Sequence, residues 1–181
     1  EGAAFRAGFL SGGDPAALGR FGRMPDAAVH VAHQGFGRSL WFSRMGRLDV
    51  ALHVVAGLPG RFHGDAASGL GLACAFSWLD RVAAFPKLLD AVPEHLRVDF
   101  LQGAAFGWEA RRRADRSLFE DAIAVLPEAQ RVAIDDGLAA VHAGRRDLEP
   151  ASPPAFYEAW RAETRARLGR LCEPATFGTA A

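Results

Sequence analysis

The sequence has two cysteines, one tyrosine and a single lysine, Lys87, among its 181 residues. Cys74 and Cys172 stand far apart and form no C-x-x-C pair. This disfavours a disulfide framework or a zinc ribbon, and it favours a reducing, cytoplasmic location. The longest uncharged run, 66–79, is too short to cross a bilayer, and no signal peptide is visible. We therefore expect a cytoplasmic protein that is not transmembrane.

The chain also has no net charge at neutral pH. Lys and Arg together number 21, as do Asp and Glu, so no overall field favours nucleic acid or an anionic membrane, and no nucleic-acid partner is expected. Nearly all basic residues are arginine, which together with abundant Ala and Gly is typical of GC-rich bacterial genomes. The first residue, Glu1, falls inside a repeated motif, which indicates a fragment or processed product of a longer protein.

That motif is a polar residue followed by glycine, with Ala or Gly two places further on. Its glycines are spaced by 33 residues once and then by 34 three times, at Gly2, Gly35, Gly69, Gly103 and Gly137. Prolines keep the same spacing, ten positions before a repeat glycine, at Pro25, Pro59, Pro93 and Pro127. Self-similarity at this period indicates a stacked repeat architecture.

Each repeat resembles a long helix followed by a short one. In the fourth unit Pro93 suits the first turn of a long helix that runs to Arg113. Residues 117–120 then form a capping-box pattern that opens a short helix ending at Leu126. The other predicted long helices are 1–10, 25–43, 68–79 and 127–144, and short helices are predicted at 14–24 and 49–57. The sequence thus predicts an all-α protein, an α-solenoid of about five stacked helix pairs with a 33–34-residue period.

The expected domain organisation follows from these patterns. Residues 1–146 form the helical repeat array, whose first unit is incomplete. Residues 147–154 are rich in proline and form an elbow. Residues 155–172 form a C-terminal capping helix with an arginine-rich, solvated outer face, and residues 173–181 form a loose tail.

Glycine inside a long helix costs about 1 kcal/mol relative to alanine, so its recurrence needs a compensation. Close approach of a neighbouring helix supplies one, because Gly and Ala leave a shallow groove that another backbone enters. The alternative, a phosphate-binding loop at Gly35 or Gly69, is disfavoured: neither motif completes G-x-G-x-x-G and neither follows a predicted strand.

Arg38 is the leading candidate for ligand binding. It is charged at a repeat position where the other units carry Phe5, Leu72, Phe106 and Ala140. Such a residue either pairs internally or contacts a ligand. Ser39 and Trp41 lie beside it and are grouped with it as binding residues. Gln34 and Gln102 precede repeat glycines and serve either as hydrogen-bonding groups between helices or as polar groups of a pocket. Trp108 is the remaining candidate, as part of an apolar groove lined by the long helices.

The sequence gives weaker evidence for catalysis than for ligand binding. His30 and His33 stand at i, i+3 on a helix, but no Glu lies between them and no Asp or Cys lies at ligand spacing. Ordinary core or surface histidines are therefore favoured. Cys74 lies in the most apolar helix and is read as an inert thiol. No catalytic residue, metal or cofactor is predicted.

Several blocks resemble a known family. Residues 34–42 (QGFGRSLWF), 69–73 (GLGLA) and 102–106 (QGAAF), with Ala110-Arg111, are similar to blocks of the domain-of-unknown-function family 1702, and residues 1–4 are similar to an earlier block. The resemblance covers about residues 1–113. Members are encoded beside enediyne polyketide synthases, so the resemblance implies a role in natural-product biosynthesis. It supplies no catalytic residues.

Three hypotheses of function result. The first is a non-catalytic helical repeat protein that binds a partner, such as a polyketide synthase or an accessory biosynthetic protein, or a hydrophobic polyketide intermediate of enediyne-type biosynthesis. The second is an enzyme or enzyme subunit that modifies a nascent polyene, with Arg38 as an anion contact and His30 and His33 near a metal. The third is a purely structural interaction module.

Overall fold

The computed structural model describes residues 1–146, 148–149 and 151–172. All regular structure in these residues is helical, which confirms the predicted all-α class. The helices are α1 Gly2–Leu10, α2 Asp26–Ser43, α3 Leu48–Ala56, α4 His63–Ser77, α5 Phe85–Ala91, α6 Arg97–Ala114, α7 Arg116–Ala124, α8 Glu128–Arg146 and α9 Pro153–Cys172. Short 3-10 segments stand at Pro15–Phe21, Gly60–Phe62, Leu79–Ala84 and Glu94–Leu96. The predicted loose tail, 173–181, lies outside the described residues, as do Asp147 and Pro150 of the elbow.

Several helix starts differ from the prediction. α4 begins at His63 rather than Ser68, so it includes Gly64, which packs against the carboxyl group of Asp99. α6 begins only after a 3-10 turn that follows Pro93. The prediction of a capping box at Ser117 is wrong, because Asp115 caps α7 by accepting the Leu118 N–H at 3.0 Å, and Ser117 lies inside the helix.

Five helices, α1, α2, α4, α6 and α8, pack side by side in chain order, and we call them the array helices. The first four run in the same direction, since their starts lie together and their ends lie together; α1 meets α2 at Glu1 with Gly35 and again at Gly8 with Ser39. Near their starts, Asp65 contacts His30 and Gly64 packs against Asp99. Near their ends, Gly46 packs against Trp78, and Arg111 lies over the Phe76 ring at 5.7 Å. The short helices pack against these, α3 on α2 and α4, and α7 on α6.

The repeat glycines have the role predicted for them at three of the five positions. A Cβ atom at Gly35, Gly69 or Gly103 would overlap a carbonyl oxygen of the preceding array helix. The oxygens concerned belong to Glu1, Gln34 and Ser68, the polar residues of the preceding motif. Gly2 and Gly137 differ, since a Cβ meets nothing within 4 Å at Gly2 and only ordinary contacts, from 3.4 Å, at Gly137. Close backbone approach therefore joins α1 to α2, α2 to α4 and α4 to α6.

The C-terminal helix does more than cap the array. α9 begins at Pro153, two residues before the predicted start, and contacts α2 and α6 as well as α8. Trp160 Nε1 donates a hydrogen bond to the Val141 carbonyl oxygen at 2.7 Å, and its ring packs on Phe106. Arg161 is only 5% exposed, so the outer face of arginines predicted to be solvated is partly buried. α9 therefore lies across the array helices.

The core lies between the array helices and the short helices. Its fully buried side chains include those of Phe36, Leu40, Leu70 and Phe100. None of the helices in the described part of the chain has the length and apolar character that a membrane span requires.

Candidate functional site

A line of buried amides and a hydroxyl crosses three array helices. Gln34 Nε2 donates to Ser68 Oγ at 3.0 Å, and Ser68 Oγ donates to Gln102 Oε1 at 2.7 Å. The three residues follow one another at 34-residue intervals and are at most 1% exposed. Gln34 and Gln102 thus act as hydrogen-bonding groups between helices. Gln34 Oε1 and Gln102 Nε2 are buried with no hydrogen-bond partner among the described residues.

An ion-pair cluster lies where α9 crosses α2 and α4. Asp65 is buried; its Oδ1 accepts from Arg161 Nη2 at 3.0 Å, and its Oδ2 lies 2.7 Å from His30 Nδ1. Arg161 also donates through Nη1 to Glu158 at 2.7 Å. Burial raises the pKa of Glu158, and the neighbouring guanidinium of Arg161 opposes that rise. The buried arginine is therefore held by two carboxylates on different helices.

His30, Asp65 and Glu158 offer ligand atoms that lie within 4.8 Å of one another. This grouping differs from the His30–His33 pair that the enzyme hypothesis used. The Arg161 guanidinium donates to both carboxylates, so a cation here would be repelled by a positive charge that already pairs with each of them. The cluster is best understood as an anchor for α9.

Arg38 pairs internally. Its Nε lies 2.8 Å from Glu1 Oε1, and its guanidinium stacks over the Phe5 ring at 4.3 Å. Burial raises the pKa of Glu1, whereas the positive charge of Arg38 acts in the opposite direction. The charged side chain at this otherwise apolar repeat position thus contacts residues of the neighbouring helix α1 and its N-cap. A ligand-binding role for Arg38 stays a prediction.

A cavity of about 520 Å³ lies next to this pair, between α1, α2 and the start of α9. Its walls are mostly apolar, including Ala4, Phe21, Met24, Ala28, Val31, Ala32, Pro153 and Pro154. Its polar groups come from Glu1 and Tyr157. Burial raises the pKa of Tyr157, and the positive charge of Arg161 opposes that rise, so the Tyr157 hydroxyl stays protonated at neutral pH. The cavity therefore combines a mostly apolar wall with two residues that carry polar groups.

The other predicted binding residues do not line this cavity. Ser39 is fully buried and donates to the Phe36 carbonyl oxygen at 2.6 Å, where it packs against Gly8. Trp41 is 2% exposed, donates through Nε1 to Ser77 Oγ at 2.9 Å and stands edge-on to Trp78. Their environments are those of core residues, and nothing in the described structure tests a ligand contact at either one.

Trp108 lies at the other end of the array. It packs edge-on against Phe85 and lines a smaller apolar cavity of about 290 Å³ between α5, α6 and the start of α8. The structure thus brings Gln34, Ser68 and Gln102 together in one hydrogen-bonded line and places Trp108 apart from Arg38 and Trp41.

His33 and Cys74 are both buried. His33 Nδ1 lies 2.8 Å from the Val29 carbonyl oxygen, and its ring stacks on Phe62 at 3.6 Å. Burial lowers the pKa of His33 and raises the pKa of the Cys74 thiol to about 12. Cys74 is therefore protonated at neutral pH, in agreement with the inert thiol expected from the sequence.

Sequence reasoning missed Asp65, Asp99, Tyr157 and Arg161. One signal for the aspartates was present, since Asp65 and Asp99 occupy the same repeat position, 34 residues apart. Each pairs with an arginine of α9, Asp65 with Arg161 and Asp99 with Arg165. Nothing in the periodicity of the array indicates that α9 crosses it, so their partners could not be inferred.

Comparison with known proteins gives one family. A family described as "Protein of unknown function (DUF1702)" matches residues 14–168. No curated protein and no solved structure is significantly similar to the chain.

Proposed function

The chain belongs to the DUF1702 family of proteins of unknown function, and we propose that it is a non-catalytic helical repeat protein that binds a hydrophobic small molecule. The cavity between α1, α2 and α9 is the observation that carries the proposal. Its volume of about 520 Å³ is within the range of small-molecule sites, which are concave and mostly apolar with a few polar groups.

The polar groups of this cavity suggest the form of the ligand. Glu1 and Tyr157 supply hydrogen-bonding groups beside an apolar wall, which suits an elongated hydrocarbon with one polar end. A hydrophobic polyketide intermediate of enediyne-type biosynthesis has this form, and we propose it as the ligand class. The partner in this proposal is a polyketide synthase or an accessory protein that exchanges the intermediate with the cavity.

We also infer that the array is a short α-solenoid with a 33–34-residue period. The consecutive packing of the array helices supports it, as do the backbone contacts at Gly35, Gly69 and Gly103. In solenoids each repeat packs mainly on its neighbours and the stack presents an extended surface. Here α9 covers part of that surface and closes one side of the cavity.

A conjugated polyene fatty acid, cis-parinaric acid, is a suitable probe because its fluorescence rises when it enters an apolar site. We expect saturable binding by the full chain. Val31→Trp places a large side chain on the wall and should weaken binding by about tenfold or more, since it removes volume that the probe needs. Val132→Trp is the matched control, because Val132 is 51% exposed on α8 and does not line the cavity.

Tyr157→Phe tests the polar end separately. It should weaken binding of parinaric acid but leave binding of a hydrocarbon polyene without a carboxyl group unchanged, because only the hydroxyl is removed. Helicity measured by circular dichroism verifies that each variant folds. Equal affinity of the wild type and a folded Val31→Trp protein would exclude the cavity as the binding site.

A further inference from the structure

The C-terminal ends of the array helices form one continuous edge. Gly13 packs against Arg44, Gly46 packs against Trp78, and Phe76 lies beneath Arg111. Arg112 Nη2 lies 2.9 Å from His142 Nε2, which joins α6 to α8. We define the basic edge as residues 9–13, 42–49, 76–78, 109–113 and 142–146.

This edge carries a charge that the whole chain does not. Its segments contain seven arginines and two acidic residues, whereas the chain is neutral. One of the two acids, Glu109, is buried beneath Arg112 and Arg113, which bind both of its oxygens. Arg47, Arg145 and Arg146 are exposed. Helices that run in the same direction place their negative ends together, and these cations stabilise them there.

The helix dipole explains the arginines but not the apolar side chains among them. Met45 is 91% exposed and Leu10 is 72% exposed, both where a helix ends in a turn. Met45 has a φ of 52°, a backbone conformation that side-chain-bearing residues seldom adopt. Phe9, Phe42 and Phe76 are 48%, 39% and 39% exposed along the same edge. The turn that ends α2 holds Met45 in this conformation, since the Gly46 N–H donates to the Trp41 carbonyl oxygen at 2.8 Å, and it leaves the apolar Met45 side chain exposed and available to an apolar surface.

We propose that the basic edge docks on an anionic lipid surface. Met45 and Leu10 would enter the boundary between headgroups and acyl chains, while the arginines contact lipid phosphates and carboxylates. A lipid surface is favoured over a partner helix because the most exposed apolar side chains stand at turns and do not line a groove. The proposal does not depend on the cavity, although a membrane would be a source of hydrophobic ligands.

Co-sedimentation of the full chain with lipid vesicles tests it. We expect binding to phosphatidylcholine vesicles that contain about a third phosphatidylserine, weak binding to pure phosphatidylcholine, and release at about 1 M salt, where screening shortens to about 3 Å. The double variant Leu10→Ser/Met45→Ser should lower the partition coefficient about tenfold or more. Val125→Ser is the matched control, because Val125 is 83% exposed at the end of α7, outside the edge.

A second pair of variants isolates the charge. Arg47→Gln/Arg146→Gln removes two exposed arginines of the basic edge and should weaken binding to the anionic vesicles about tenfold or more, from about a factor of five for each charge. Arg23→Gln/Arg61→Gln removes two exposed arginines elsewhere and should have no such effect.

Three results would overturn the proposal. They are no binding to either vesicle, an equal effect of the edge and control variants, and a dimer, seen by sedimentation velocity, that Leu10→Ser/Met45→Ser disperses while vesicles are not bound. The last result would show that the edge is an interface between two copies of the chain.

Discussion

Arg161 of α9 donates a hydrogen bond to Asp65 of α4 at 3.0 Å, across 96 residues of sequence, and both side chains are at most 8% exposed. Removing one partner of a buried ion pair leaves an uncompensated charge, which costs about 3–5 kcal/mol. The pair therefore fixes α9 to the array more firmly than any exposed contact does.

Asp65→Asn should lower the free energy of unfolding, measured by urea denaturation, by about 3–5 kcal/mol. The double variant Asp65→Asn/Arg161→Gln should recover much of this loss, because the buried guanidinium is then absent and Glu158, which loses it, is 30% exposed to water. Asp99→Asn should cost only about 1 kcal/mol, since its partner Arg165 is half exposed. Equal losses in Asp65→Asn and Asp99→Asn would contradict the assignment of the buried anchor to Asp65.

Gly69→Ala should destabilise the protein by about 1–3 kcal/mol or more, because the added methyl group meets the Gln34 carbonyl oxygen and forces α2 and α4 apart. Gly137→Ala is the matched control: it meets only ordinary contacts, and the better helix propensity of alanine should stabilise α8 by up to about 1 kcal/mol. Thermal denaturation of the two variants distinguishes the steric cost of the methyl group at Gly69 from the gain in helix propensity at Gly137. A Gly69→Ala protein as stable as the wild type would refute the need for close approach at this position.

Ser68→Ala should destabilise the protein by about 2–4 kcal/mol, because Gln34 Nε2 and Gln102 Oε1 each lose a buried partner. Ser117→Ala is the control, since Ser117 is exposed and Asp115 caps α7. Urea denaturation measures both. If the two serine variants had the same stability, the hydrogen-bonded line would contribute nothing.

The burial that lowers the pKa of His33 makes stability depend on pH. The unfolded chain binds a proton at His33 near pH 6.5, the ordinary value, while the folded protein binds it only at lower pH. This contribution to stability is therefore present above about pH 6.5 and declines as pH falls from there toward the pKa of the folded state. Asp65, which raises the pKa, and His30 and Arg61, which lower it, are the charged or titratable groups that act on the ring.

His33→Gln should reduce this slope below about pH 6.5, as measured by urea denaturation at a series of pH values. His53→Gln is the control, because His53 is exposed on α3. If the pH dependence of stability changed in the His53 variant and not in the His33 variant, the assignment of this dependence to His33 would be refuted.

The repeat pattern was sufficient to predict the helices because it is local. Each unit has a proline before it, glycine and regularly spaced apolar residues within it, and arginine near its end. These features depend on the backbone geometry of one helix and its next neighbour. The close approach at Gly35, Gly69 and Gly103 follows from the same pattern, since an unfavourable residue that recurs needs a compensation between adjacent repeats. Gly137 shows the limit, because α8 does not approach α6 as closely.

Charge was the property that the sequence predicted least well. Balanced totals gave no reason to expect a charged surface, yet helices that run in the same direction collect arginines at one edge. Likewise, Arg38 offered a choice between an internal partner and a ligand, and the contact with Glu1 depends on how α1 packs on α2.

The sequence by itself determined that the protein is helical and that adjacent array helices approach closely at Gly35, Gly69 and Gly103. These features depend on interactions within one repeat or between adjacent repeats. Only the tertiary structure decided that α9 lies across the array, that Arg161 meets Asp65, and that a cavity lies between α1, α2 and α9. Those contacts join residues from distant parts of the chain, and no periodicity relates α9 to the repeats. Their formation depends on how the whole array packs, which no local pattern contains.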